Sequence, residues 1–345
     1  GDFLADNTAP QINLDLEINK FNMKAIEGFT KGEVSGTSGY FSGSFNLKGN
    51  LVEPDYLGKI AFNNANLKIT QLNESFTFDN DELYIDNKGL SLNNFTIQDE
   101  NKNTFMFSGF IGTESFSNPT FDLNINAKNF QVLNATKEDN DLVYGKAVFD
   151  ANGTIKGNLE IPKIDVNLKV GSETDITYIL PSASVNIEEQ EGVVIFVNRE
   201  NPDAILTRTE EQSVKITGFD VNANLKVDKS ARIKVIIDAE TNDNFQVSGN
   251  GDFKVKMSPN GSVNLTGVYE IANGHYEMNL YNIVNRKFEL TSDSRISWYG
   301  DPFDAKLDVK ALYKIDASAS PLMASQTTSS DASIKSQYQE VLPFY

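Results

Sequence analysis

Cysteine is absent from this chain of 345 residues, and histidine and tryptophan occur once each. Without cysteine the protein forms no disulfide, no zinc–thiolate site and no thiol nucleophile. The missing thiols do not fix the cellular compartment, because an oxidising space and the cytosol both accommodate a protein without cysteine. These scarcities exclude several classes of metal and catalytic site before any motif is considered.

Positive charge is also scarce. The chain has 30 basic residues against 48 acidic ones, which gives a formal net charge of −18. Such a chain repels phosphate backbones, so we expect no nucleic-acid partner. The same repulsion disfavours docking on an anionic membrane surface.

Long apolar stretches are missing as well. The sequence contains no run of about 18 apolar residues, so it predicts no membrane-spanning helix, and no signal peptide opens it. It starts within a pattern at Gly1 and stops in the apolar run 341–345. We therefore expect an internal piece of a longer protein, with any anchor or targeting signal outside it.

The sequence does contain strict alternation of apolar and polar residues, which is the period of a strand with one buried face. The alternation is clear in residues 12–18, 121–127 and 164–170, where the intervening residues are mostly polar. Antiparallel sheets allow one wet face, and turn residues such as Asn260-Gly261 separate the runs. We predict an all-β chain of about 18 to 22 strands, in one long sheet that is mostly antiparallel or mixed.

A sheet with one apolar face must cover that face with a second sheet, by closing into a barrel, or by curling into a trough that an apolar ligand fills. Alternation alone does not choose among the three. Some 20 strands in one sheet would extend roughly 100 Å, whereas ordinary twisted sheets rarely exceed about 10 strands. Because twist accumulates in one hand, we expect a curled, elongated open groove with an apolar interior, and a sandwich remains the alternative.

Three segments are predicted along the chain. Residues 1–316 form the continuous β-groove, and residues 341–345 start the next strand. Between them, residues 317–340 form a flexible loop rich in Ser and Thr, in which residues 329–342 have the spacing of a short amphipathic helix. Another short helix fits within residues 20–28.

Two groups of motifs resemble the conserved C-terminal region of the TamB family, a branch of the AsmA-like envelope proteins. The first is the Gly-rich stretch 36–45, followed by Gly49-Asn-Leu-Val-Glu-Pro54, which is similar to a G-x-L-x-x-P step of that family. The second group is a Gly-Tyr hairpin in residues 265–276, the turn Ile296-Ser-Trp-Tyr-Gly-Asp-Pro302 and the strand Ala305-Lys-Leu-Asp-Val-Lys-Ala311. The motifs are short, and their order carries the resemblance.

The resemblance implies a protein of the Gram-negative periplasm, anchored in the inner membrane by a segment that is not present here. The implied partners are phospholipid and an outer-membrane barrel protein of the TamA type, with no nucleic acid and with membrane contact through segments outside this chain. Two departures stand out. The chain stops before the further G-x-L-x-x-P strand set with which the family usually continues, and it lacks the family's inner-membrane anchor.

The implied function is a lipid conduit, which carries phospholipid acyl chains along an apolar β-groove between the inner and outer membranes during outer-membrane biogenesis. The alternative is an assembly factor or chaperone for outer-membrane β-barrels, which acts by β-augmentation with a TamA-type barrel. A third hypothesis is a compact sandwich-type binding module. Each predicts a different partner along the strands: lipid on the apolar face, nascent barrel strands at an edge, or neither.

For the lipid hypothesis, the alternating side chains of the central strands form the lining. Each CH₂ of an acyl chain gains about 0.8 kcal/mol on leaving water for such a surface. Because every methylene meets similar surroundings, sliding along the lining costs little. Alternating apolar residues are usually plain core, so this assignment depends on the resemblance. The predicted lining residues are Phe121, Leu123, Ile125, Ile164, Val166, Leu168, Val170, Val221, Leu225, Val227, Ile233, Val235, Ile237, Phe253, Val255, Met257, Val263, Leu265, Tyr269, Ile271, Tyr276, Met278, Leu307 and Val309.

No catalytic residue, metal site or cofactor is predicted, and an enzyme is the least supported class. His275 lies in a Gly-His-Tyr turn with no evident acid–base partner, and Trp298 fits a core contact better than a partner contact. The acidic runs 79–82 and 138–141 lack the glycine and terminal glutamate of an EF-hand loop. Residues 249–251, Gly-Asn-Gly, lack the third glycine and the helix of a dinucleotide site.

Overall fold

The structure is a computed structural model that describes residues 11–50, 54–78, 82–115, 117–181, 218–280, 284–318 and 341–344. It is almost entirely β-strand, which confirms the predicted fold class. The only helical elements in the described residues are α1 (Lys24–Glu27) and a 3₁₀ turn (Thr70–Leu72). The strands are β1 (Gln11–Asn22), β2 (Val34–Asn50), β3 (Pro54–Ile69), β4 (Glu74–Phe78), β5 (Glu82–Asp86), β6 (Gly89–Gln98), β7 (Thr104–Gly112), β8 (Thr120–Ala135), β9 (Val143–Asn158), β10 (Pro162–Val170), β11 (Asp175–Ile179), β12 (Asp220–Val227), β13 (Arg232–Asp238), β14 (Asp243–Met257), β15 (Val263–Leu280), β16 (Val284–Leu290), β17 (Arg295–Gly300), β18 (Ala305–Asp308), β19 (Ala311–Tyr313), β20 (Ile315–Ser318) and β21 (Val341–Phe344).

Strands β1 to β19 form one sheet, and β20 and β21 form a separate antiparallel pair. Neighbours in the large sheet are antiparallel and follow the chain, with one exception: β12 lies parallel to β10, and β13 lies parallel to β11. The sheet is therefore mixed. Most of residues 317–340 lie outside the described residues, so the three predicted segments stay predictions.

The parallel junction joins two copies of the same local pattern. Lys163 pairs with Asp220 and Asp175 pairs with Arg232, so both strand pairs are offset by 57 residues. The side chain of Asn224 donates a 2.8 Å hydrogen bond to its partner Asn167 across the junction. The connection between β11 and β12, residues 182–217, lies outside the described part of the chain.

The sheet is shorter than the number of its strands suggests. In five places two short strands lie end to end and share one position of the ladder, because both pair with the same neighbouring strand or with its two halves. These pairs are β4 with β5, β10 with β11, β12 with β13, β16 with β17, and β18 with β19. The 19 strands fill fourteen positions, which span roughly 60 Å along the hydrogen-bonding direction. The expected length of 100 Å was wrong because bent strands break at the bend and count twice.

The unbroken strands bend at the same level of the sheet. Register shifts interrupt β1, β2, β6, β8 and β14. Asn64, Asn94 and Asn129 adopt left-handed backbone angles in β3, β6 and β8, a conformation that asparagine tolerates better than most residues. Because a bulge kinks its strand, these bends and the strand breaks divide the sheet into two walls. Wall 1 contains β5, β10, β12, β17, β18 and the strand halves paired with them; wall 2 contains β4, β11, β13, β16, β19 and the halves paired with them.

Strand register places the apolar residues on one continuous face. One row of directly paired residues crosses six neighbouring strands and is wholly apolar: Leu123, Ile155, Ile164, Val221, Met257 and Val263. The next row, one residue along each strand, is wholly polar: Asn124, Thr154, Asp165, Asn222, Lys256 and Asn264. The alternation in the sequence thus becomes one apolar face and one polar face.

Candidate functional site

The 24 predicted lining residues all lie on the apolar face, but water reaches them very unequally. Ile237, Val263 and Leu307 are 47%, 38% and 66% exposed. Others are buried against neighbouring side chains of the same face, so they are core as well as lining. The buried members of the predicted set are Leu123, Ile125, Val166, Val227, Phe253, Tyr269 and Ile271.

An open apolar cleft lies between the walls at β13 to β19, with a volume of about 630 Å³. Volumes of this size are typical of small-molecule sites. Six predicted lining residues contribute to it: Val235, Ile237, Tyr276, Met278, Leu307 and Val309. Sequence reasoning missed the other lining side chains, which are Leu180, Phe245, Phe288, Leu290, Ile296, Trp298, Pro302, Ala305 and Ala311.

Aromatic rings form much of the cleft wall. The rings of Tyr276 and Phe288 stack with centroids 6.2 Å apart, and Phe288 also contacts Tyr313 at 5.3 Å. On wall 1, Trp298 packs edge-on against Phe253 at 5.6 Å. Its indole Nε1 donates a 2.9 Å hydrogen bond to the carbonyl oxygen of Pro302. That bond satisfies the indole N–H and leaves the ring available as an apolar surface.

Trp298 occurs in the turn motif that carried the family resemblance, and Phe288 alternates with Leu290. This period-2 pattern is the signal that could have placed Phe288 on the apolar face. Phe245 pairs with Tyr276 and Val235 across β14. It alternates with Val247, so the same period-2 pattern could have placed it on the apolar face.

The hydroxyl of Tyr269 is a polar atom inside the apolar interior. It is buried and has no hydrogen-bond partner among the described residues. Burial raises the pKa of Tyr269 to about 12, because removal from water disfavours the phenolate. The group therefore stays a neutral O–H next to Ile296, its cross-strand partner, which lines the cleft.

Arg286 lies beside the cleft on the same face. It pairs with Met278 in the ladder between β15 and β16 and is two residues from Phe288, and both of these residues line the cleft. Its guanidinium carbon is 5.4 Å from the centre of the Tyr313 ring, a cation–π distance. An exposed cation thus borders the apolar surface.

The single histidine lies within strand β15, so the predicted Gly-His-Tyr turn was wrong. It lies on the polar face, away from the cleft. Its Nε2 is 3.4 Å from Oε1 of Glu277. Partial burial, together with Lys287, lowers the pKa of His275. This neutral imidazole paired with a carboxylate fits a surface role, since no other acid–base group was predicted to act with it.

The remaining sequence candidates have structural surroundings. Asp139 accepts 2.9 Å hydrogen bonds from the backbone N–H and the hydroxyl of Thr136, as in a turn. Residues 79–81 lie outside the described residues. Gly249 and Gly251 lie inside β14, where a Cβ on Gly251 would come within 2.2 Å of the Phe253 ring.

None of the helices in the described residues has the length and apolar character needed to cross a bilayer. No group of three or more His, Cys, Asp or Glu side chains in the same residues is arranged to hold a metal ion.

The chain matches the family model of the TamB C-terminal domain over residues 93–341. The matched region includes β7 to β19 and so contains both the apolar cleft and all of the predicted lining. No curated protein and no solved structure matches the chain.

Proposed function

The chain belongs to the TamB family, whose members act in the biogenesis of the Gram-negative envelope as transport or assembly modules, and we propose that it carries phospholipid acyl chains along its apolar face. The family is associated in general with TamA-type partners and envelope lipids and is not known for catalysis. The finer proposal is a conduit in the periplasm between the inner and outer membranes. Its inner-membrane anchor would lie in a segment outside this chain, and its outer-membrane partner would be a TamA-type barrel.

The observation that carries the proposal is the open cleft between the two walls. Its lining is apolar on both sides, from Val235 on wall 2 to Leu307 on wall 1. An acyl chain that enters gains about 0.8 kcal/mol for each CH₂ removed from water. The lining offers few polar partners, so the gain depends on chain length rather than on any one atom of the lipid.

The continuous apolar face supports movement as well as binding. Paired apolar residues follow one another from strand to strand, so a chain that shifts by one ladder step meets a surface of the same kind. The adjoining polar rows lie on the other face of the sheet. A charged headgroup would therefore stay in water at the open rim while the acyl chain slides.

Tryptophan fluorescence tests the proposal directly, because Trp298 is the only tryptophan and lines the cleft. A phospholipid with brominated acyl chains should quench its emission, and the same lipid without bromine should not. Quenching requires close approach, so it reports occupation of this cleft. Unchanged Trp298 emission at saturating brominated lipid would refute lipid binding in this cleft.

Photo-crosslinking extends the test along the groove. A photoreactive residue at Val235, which lines the cleft, should form lipid adducts, whereas one at the neighbouring Lys234 should not. The two positions share a strand and differ only in the face that they occupy. Equal labelling at both positions would contradict a one-sided lining.

One observation favours assembly of outer-membrane barrels as a second function. Among the described residues, β1 pairs only with β2, so its other edge is unpaired. An unpaired edge can add a strand from another chain. This function predicts crosslinks from β1 to a nascent barrel strand and none from the cleft to lipid.

A further inference from the structure

The arginines of the described residues have two kinds of partner. Arg232 donates from Nε and Nη2 to the carboxylate of Asp175, at 3.0 and 2.6 Å. Arg295 forms an ion pair with Asp308 at 3.3 Å. Arg286 has no carboxylate partner among the described residues, and its contact is the ring of Tyr313.

The position of Arg286 breaks the pattern of its strand. Phe288 and Leu290 alternate on the apolar face of β16, and Arg286 occupies the next position of the same face. Its cross-strand neighbour Met278 also lines the cleft. A cation here faces the open side of the groove rather than the polar face, where the neighbouring Lys287 lies 3.8 Å from Glu277.

The contact with Tyr313 leaves the guanidinium ready for an anion. A ring held against the guanidinium attracts the charge without using its N–H groups as a carboxylate would. The five N–H donors form a planar fork that matches the oxygens of a phosphate.

We propose that Arg286 binds the phosphate of a lipid headgroup while an acyl chain of the same lipid occupies the adjacent cleft. This assignment rests on the proposed function. The phosphate is that of a lipid because the cation lies next to the apolar cleft, so one molecule can contact both. Phe288, two residues from Arg286, lines that cleft. In a chain with a net charge of −18, a free phosphate gains little from the surroundings and relies on this one cation.

The test compares two ligands with identical brominated acyl chains in the same non-ionic detergent: phosphatidylglycerol, and diacylglycerol, which lacks the phosphate. Quenching of Trp298 measures the affinity of each. The variants are Arg286→Gln, Arg286→Lys and the matched control Lys287→Gln, which removes the same charge one residue away on the other face. Arg286 is exposed, so folding should be unaffected, and circular dichroism checks this.

In Arg286→Gln, phosphatidylglycerol affinity should fall about tenfold to hundredfold, the range of lost charge-assisted hydrogen bonds, while diacylglycerol affinity stays unchanged. Arg286→Lys should retain part of the preference, and Lys287→Gln should match the wild type. Equal phosphatidylglycerol affinity in wild type and Arg286→Gln would overturn the assignment, as would equal loss of both ligands.

Further outcomes distinguish the failure of the Arg286 assignment from the failure of the proposed lipid-carrying function. Inorganic phosphate, added in excess, should leave quenching unchanged; displacement of phosphatidylglycerol by it would assign Arg286 to free phosphate instead. If neither brominated ligand quenches Trp298 in the wild type, the proposed function itself is wrong and the headgroup site falls with it. If diacylglycerol and phosphatidylglycerol bind the wild type equally well, the function stands and only the headgroup site is refuted.

Discussion

Strands β13 to β19 and strands β4 to β8 present the same face of one sheet, but their apolar side chains have different neighbours. In the first region the walls leave an open cleft, and Leu307 is 66% exposed. In the second, Phe76 of β4 stacks on Phe130 of β8 with ring centroids 5.6 Å apart. Three ladder steps, roughly 14 Å in a flat sheet, separate these two strands. The sheet therefore curls tightly enough there to cover its own apolar face.

Hydrogen bonds between polar side chains also connect strands β4 to β8, which we call the closed region. Glu74 and Asp99 continue the apolar alternation of β4 and β6 but are fully buried acids. Gln131 of β8 donates from its side chain to Glu74 at 2.7 Å and from its backbone N–H to Asp99 at 2.8 Å. Asn73 adds a 2.8 Å hydrogen bond to the carbonyl oxygen of Asn134. The apolar face therefore stays accessible only where no hydrogen bond or ring contact holds non-adjacent strands together.

Phenylalanine is concentrated in the part of the chain that contains the closed region. Sixteen of the 23 phenylalanines precede residue 151. The closed region joins Phe76, Phe105, Phe130 and Phe149 in one set of ring contacts. Aromatic rings line the cleft as well, among them Tyr276, Phe288 and Trp298, so the presence of rings alone does not decide which region is open.

The largest expected effect on this comparison comes from removing a ring of the closed region. Phe130→Ala should lower the free energy of unfolding by about 3 to 5 kcal/mol, because a buried ring leaves a cavity. Leu307→Ala in the cleft should change it by less than about 1 kcal/mol, since that side chain is mostly exposed. Urea titration followed by circular dichroism measures both. Similar losses for the two variants would mean that the regions do not differ in packing.

A smaller effect is expected from the polar contacts. Gln131→Ala should cost about 1 to 3 kcal/mol, because it leaves the buried Glu74 carboxylate without its side-chain donor. Gln98→Ala is the matched control, since the side chain of Gln98 makes no hydrogen bond within the described residues. The same titration applies to both. If Gln98→Ala lowers the free energy of unfolding as much as Gln131→Ala does, the hydrogen bond from Gln131 to Glu74 does not contribute specifically to stability.

The smallest effect is a pH dependence of stability. Burial raises the pKa of Glu74 above its ordinary value of 4.5, so the folded state favours the protonated acid. That contribution is complete below the unfolded pKa and is lost as pH rises through the folded pKa. Glu74→Gln keeps an acceptor for Gln131 without the charge. Its melting temperature relative to wild type should therefore increase as pH rises above the ordinary pKa of 4.5, and a constant difference would contradict the buried-acid interpretation.

Much of the fold was open to prediction, and the exceptions have physical causes. Alternation placed residues such as Leu168 and Val255 on the correct face because side-chain direction repeats every two residues within a strand. The expected length failed because breaks such as the one between Val170 and Asp175 split one bent strand into two. Glu74 and Asp99 are acids at positions of the apolar face, and only their contacts across strands explain their burial.

The class of fold, the face on which each alternating side chain lies and the family resemblance all follow from the sequence. They depend on the local geometry of a strand, which is the same wherever the strand lies in the sheet. The predicted hairpin in residues 265–276 was wrong, because β15 runs unbroken from Val263 to Leu280. Which part of the apolar face is open depends on the folded sheet as a whole. That outcome depends on bulges and curvature accumulated over several strands, which bring Phe76 onto Phe130 and leave Trp298 beside an open cleft.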